Sequence, residues 1–100
     1  MLKWEKALIR LNQEMERVNL LSSAAMDTRQ FSQAVEYFRA MADLNSRKAC
    51  MLRKISRTHK NKQEREMMID SARLLFQGRA EWIRHAEMVT DSVKRLGESI

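Results

Sequence analysis

From Trp4 the residues Leu8, Leu11, Met15, Val18, Ser22 and Ala25 recur at alternating steps of four and three. That is the seam period of a helix packed against other helices, and it predicts a first helix over residues 2–25. A second seam starts at Phe31 and runs through Val35, Phe38, Ala42, Asn45, Ala49 and Leu52. Met41, Leu44, Met51 and Ile55 widen it to about half the circumference at 100° per residue. Helix 2, over 28–57, is therefore expected to touch more than one neighbour. The third seam is Met68, Ala72, Leu75, Arg79, Trp82, Ala86, Val89, Val93, Leu96 and Ile100. Its phase does not slip at Gly78, so a helix over 63–97 is predicted with that glycine inside it, near the seam edge, where a neighbouring helix or a ring such as Trp82 approaches closely.

Two reversals separate these elements. Asp27-Thr28-Arg29-Gln30 reads as a capping box, so the chain is expected to turn at Met26 and Asp27. Between Ser56 and Glu66 apolar residues stop altogether, and Thr58-His59-Lys60-Asn61-Lys62 is the place for the second turn. Because neither Gly nor Pro interrupts that stretch, the alternative is one helix of about seventy residues that pairs between chains. The short first connection favours antiparallel neighbours. The expected fold is all-α: a three-helix antiparallel (up-down-up) bundle with a long helix 2/helix 3 hairpin, forming a single domain over 1–100.

Composition narrows the function. A chain of 100 residues with no Pro, two Gly and one Cys lacks the turn punctuation of a sandwich, a barrel or a disulfide-framed module. It also lacks room for a deep walled pocket, so neither a cofactor nor a small-molecule substrate is expected. The longest uncharged run, Val18 to Met26, falls well short of the roughly 20 apolar residues that span a bilayer. Met1 to Lys6 carries charge and has no signal-peptide core. With Cys50 alone, the expectation is a cytoplasmic protein without membrane insertion.

Charge is unevenly placed. Of the net +6, the segment from Leu44 to Gln63 holds seven bases (Arg47, Lys48, Arg53, Lys54, Arg57, Lys60 and Lys62) and no acid. In an up-down-up bundle Lys3, Lys6 and Arg10 join them at one pole. The helix macrodipole accounts for bases at the end of helix 2 but not for those at the starts of helices 1 and 3, so the pole reads either as a site for an anionic partner or as a solvated tip. No helix-turn-helix spacing is present, and the aromatics fall mostly at seam positions instead of among the bases. Phosphate contact without base readout is the form that nucleic-acid binding would take.

Reactive constellations are sparse. Glu81 and His85 stand four apart, a spacing metal sites use, but two ligands do not make a site, and the acids are scattered singly among bases. Cys50 has no His or Asn placed to activate it, and no Gly-rich phosphate loop occurs. No catalytic or metal residue is expected. Asn45 and Arg79 interrupt their seams, either to set register or because each lies beyond the end of helix 1 or snorkels to solvent.

The expected function is that of a non-enzymatic helical interaction protein, an adaptor, chaperone-like or assembly/regulatory subunit. Its partner is another protein, a second copy included, held through an apolar surface of Met41, Leu44, Met51, Ile55, Met67, Leu74 and Met88. The alternative is a nucleic-acid-binding regulatory protein using the basic pole.

Overall fold

The computed structural model describes residues 2–97. Three helices form in the expected order, α1 (Lys3–Asp27), α2 (Phe31–Ser56) and α3 (Lys62–Arg95). The chain reverses at 57–61, so the single long rod does not form. Amides of Thr58 and His59 both donate to the Ile55 carbonyl, which closes α2. Asn61 then caps α3, its Oδ1 accepting the Glu64 amide at 3.1 Å. Asn61 and Glu64 occupy the first and last positions of a capping box, and the turn needs no glycine because the Asn satisfies an otherwise orphaned amide.

The first connection is built differently from the capping box expected there. Thr28 is the C-cap of α1, the Arg29 amide donates to the Met26 carbonyl, and the Gln30 amide donates to the Ala25 carbonyl at 2.8 Å. This is the Schellman arrangement, and it puts Arg29 in the left-handed region at φ 58°. Residues 27–30 finish α1 and do not cap α2, whose N-cap Gln30 makes no side-chain cap bond.

α2 is the spine. It supplies ten of the buried residues, against three each from α1 and α3. Among the described residues, no Cα of α1 comes within 8 Å of a Cα of α3, so both lean on α2 in an opened, elongated bundle with Cα extents of 55 × 23 × 14 Å. This explains the wide seam of helix 2: one flank faces α1 and the other α3. The core has three parts along the axis. Ala25, Ala34, Val35, Phe38 and Ala86 pack at one end, Val18, Met41 and Leu44 in the middle, and Ala49, Leu52 and Ala72 at the other end. Phe38 and Trp82 stack with centroids 5.7 Å apart.

Most polar groups inside are hydrogen-bonded; among the described residues Ser46 Oγ is shielded from solvent without a partner. Ser22 and Ser56 each donate to the carbonyl three residues back, at 2.7 Å. Asn45 is buried and donates from Nδ2 to the Leu75 carbonyl of α3 at 3.3 Å. Arg79 is exposed, contrary to its place in the third seam. Gly78 turns towards α2 instead, and what occupies the space beside it is Asn45, not the Trp82 ring. Leu96 is 75% exposed, so the buried seam of α3 ends at Val93. Ile100 lies outside the described residues.

Candidate functional site

The start of α1, the end of α2 and the start of α3 share one end of the molecule. The Trp4 and His59 rings meet edge to face at 6.4 Å, and Leu8 packs against the cluster of Ala49, Leu52 and Ala72. His59 bonds through Nε2 to Glu64, and Arg65 Nη1 donates to the His59 carbonyl at 3.0 Å. The turn between α2 and α3 is thus fastened to α1 by an aromatic contact and to α3 by side chains.

This geometry brings the basic residues together as a pole. Lys3, Lys6, Arg10, Arg53, Lys54, Arg57, Lys60 and Lys62 are exposed; Arg47 and Lys48 lie about two turns back along α2, the former exposed and the latter half-buried. Arg47 is bonded to Asp43 at 3.0 Å, and among the described residues none of the other nine has a carboxylate within 4.0 Å. Two helix N-termini and one C-terminus converge there, so the helix dipoles add to the positive potential. Arg65 belongs to the same end and was missed from sequence. It stands between Glu64 and Glu66, and only its bond to the turn marks it out.

Beside the pole, a groove of about 570 Å³ runs between α1 and α2. Trp4, Ala7, Cys50, Met51 and Ile55 line it, with Lys3 and Lys54 at its edges and Thr58 at its polar end. A second groove, of about 430 Å³, opens between α1 and α3 over Phe38, with Trp82, His85 and Met88 on its α3 wall.

The apolar surface residues divide. Met41 and Leu44 are 5% and 6% exposed, so they are core and present nothing to a partner. The flank they occupy is the one covered by α1, Val18 packing directly against them. Met51 and Ile55 are half-buried in the first groove. Met67, Leu74 and Met88 stand out along α3 at 62%, 66% and 58% exposure. Leu2, Ile9, Leu20 and Ile69 are also exposed and were not foreseen, since each stands outside its seam.

His85 lies against the Phe38 and Trp82 rings, at 6.0 and 5.7 Å, and makes no hydrogen bond with Glu81 among the described residues. No group of three or more His, Cys, Asp and Glu side chains converges among the described residues. Cys50 is exposed and lines the first groove. No described helix is long and apolar enough to cross a membrane. No protein-family model matches the chain, and neither a curated protein nor a solved structure matches it significantly.

Proposed function

We propose that the chain is a non-enzymatic interaction protein that engages a protein partner, a second copy included, through the outer face of α3. The observation that carries this reading is the row Met67, Leu74 and Met88, spaced by seven and fourteen residues on one helix and each more than half exposed. Unbranched Met at two of three positions suits a surface that repacks against its partner. Met51 and Ile55 belong to the α1/α2 groove and extend the apolar area on α2. Light scattering coupled to gel filtration tests the self-association arm. Assembly above 11.8 kDa that is lost in a Met67→Lys/Leu74→Lys/Met88→Lys variant supports it, and a strict monomer that binds no hydrophobic dye removes its main support.

A second reading, favoured by nine pole bases that have no carboxylate within 4.0 Å among the described residues, is phosphate contact to nucleic acid. Binding should then fall steeply with salt, and Gln at Arg53, Lys54, Arg57, Lys60 and Lys62 should flatten that dependence. Absence of DNA and RNA binding at about 50 mM salt sets this reading aside.

A further inference from the structure

The α1/α2 groove combines an apolar floor with cationic edges in a repeating arrangement. Its floor is Trp4, Ala7, Cys50, Met51 and Ile55, and its edges at the pole are Lys3 on α1 and Lys54 on α2. The two helices are antiparallel, and each edge repeats one heptad further from the pole: Arg10 follows Lys3 by seven residues, and Arg47 precedes Lys54 by seven. Each repeat lies about 10.5 Å along its helix. Lys3 and Lys54 thus border the groove on its two sides, Arg10 and Arg47 stand one heptad beyond its lining, and among the described residues Arg47 alone of these four has a carboxylate within 4.0 Å.

We infer that this groove seats an acidic amphipathic helix of a partner protein. A helix carrying Leu or Met on one stripe would lay it over the floor, while Glu or Asp on both shoulders of that stripe would meet the two cationic edges. A fatty acid brings a single carboxylate and leaves one of the two lining lysines, and both arginines beyond them, without a counterpart. A nucleic-acid backbone brings repeated charge but would leave Ala7, Met51 and Ile55 uncovered, and only Trp4 offers a ring to stack on. A second copy of the chain is also a poor fit, since its acids stand singly among bases and form no two-shouldered acidic stripe. The inference rests on the reading of the chain as an interaction protein, but on a different surface from the outer face of α3.

Cys50 is the sole cysteine, is exposed, and lines the groove, so it reports occupancy directly. The probe is a fluorescein-labelled helical peptide of about 18 residues with Leu on one stripe and Glu on both shoulders, beside a counterpart with Lys in place of Glu. At about ten times its Kd, the acidic peptide should slow iodoacetamide alkylation of Cys50 by about tenfold. A Lys3→Glu/Lys54→Glu variant, checked for native helicity by circular dichroism, should lose the acidic peptide and take up the basic one. A Lys3→Gln/Lys54→Gln variant should weaken the acidic peptide without gaining the basic one. The inference is overturned if the acidic peptide leaves alkylation unchanged, if both peptides protect equally, or if a single-stranded oligonucleotide protects Cys50 better than the acidic peptide. Protection of Cys50 that survives Met67→Lys/Leu74→Lys/Met88→Lys separates this groove from the α3 face, and a strictly monomeric unaltered chain with Cys50 still protected counts against that face alone.

Discussion

Asn45 on α2 occupies the space that Gly78 on α3 leaves free: a Cβ at Gly78 would stand 2.7 Å from Asn45 Nδ2. The same nitrogen donates to the Leu75 carbonyl, so the amide is held against the opposing backbone. A glycine in mid-helix costs about 1 kcal/mol of propensity against alanine. Here it makes room for a buried, satisfied amide that ties the hairpin in register. Gly78→Ala should therefore destabilise the protein by about 1–2 kcal/mol in spite of its better propensity, because the displaced amide loses its partner. In urea unfolding, the Asn45→Ala/Gly78→Ala double variant should be more stable than the sum of the single changes requires. A more stable Gly78→Ala protein would remove this account.

Arg29 holds φ 58° at the position after the α1 C-cap, where an L side chain is disfavoured and glycine is not. Arg29→Gly should raise stability by about 0.5–1 kcal/mol, since the relief of strain exceeds the added freedom of the unfolded chain. A rise in Tm on thermal unfolding is the expected outcome.

The turn at 57–61 depends on Asn61, whose carbonyl oxygen is the only side-chain cap found at a helix start among the described residues. Asn61→Ala should cost about 1 kcal/mol, and Asn61→Asp should retain most of the stability. Equal loss in both variants would show that the cap contributes nothing.

The three helices were legible in the sequence because a seam at steps of four and three survives whatever packs against it. Which half of a wide seam is covered was not. Met41 and Leu44 have the spacing of a surplus face, yet α1 lies on that flank of α2 and buries them. Periodicity gives the width of the stripe and says nothing about how many neighbours share it. Capping was ambiguous for a related reason: Asp27 to Gln30 and Asn61 to Glu64 have the same spelling, and only the left-handed Arg29 shows that the first of them ends a helix. The pole was readable, because it follows from charge and connectivity alone. The groove beside it was not, since it needs Trp4 of α1 placed against Cys50 and Ile55 of α2.

Glu14 provides a test of surface electrostatics. Arg17 hydrogen-bonds its carboxylate, through Nε at 3.1 Å and through Nη2, and that bond, against desolvation and with a smaller contribution from charge attraction, holds its pKa below the ordinary glutamate value. A folded pKa below the unfolded one adds stability that is fully present above the unfolded value and is lost as pH falls through the folded one. Both side chains are open to solvent, so salt should weaken the effect. In a carboxyl NMR titration the Glu14 midpoint should move up towards the ordinary range in an Arg17→Gln variant. An unmoved midpoint would mean that the pair does not persist in solution.

Met41 and Met67 have the same side chain and opposite surroundings, which makes them a sensitive pair for the packing of α1. Met41 is 5% exposed and packs with Val18 and Leu44, whereas Met67 is 62% exposed near the start of α3. If α1 covers the outer flank of α2 in solution, Met41→Lys places an unpaired cation in an apolar cluster and should cost at least about 3 kcal/mol, enough to unfold much of a domain this small. Met67→Lys should change the stability of the monomer by about 0.5 kcal/mol or less. Should α1 instead detach and leave α2 open, both changes would be mild and Met41 would become available to a partner. Met41→Leu, which keeps the volume and remains apolar, should cost under about 1.5 kcal/mol and separates loss of packing from the effect of charge. Denaturant midpoints for the three variants give the order directly: a large loss for Met41→Lys, a small one for Met41→Leu and almost none for Met67→Lys is the pattern that a closed α1/α2 contact requires.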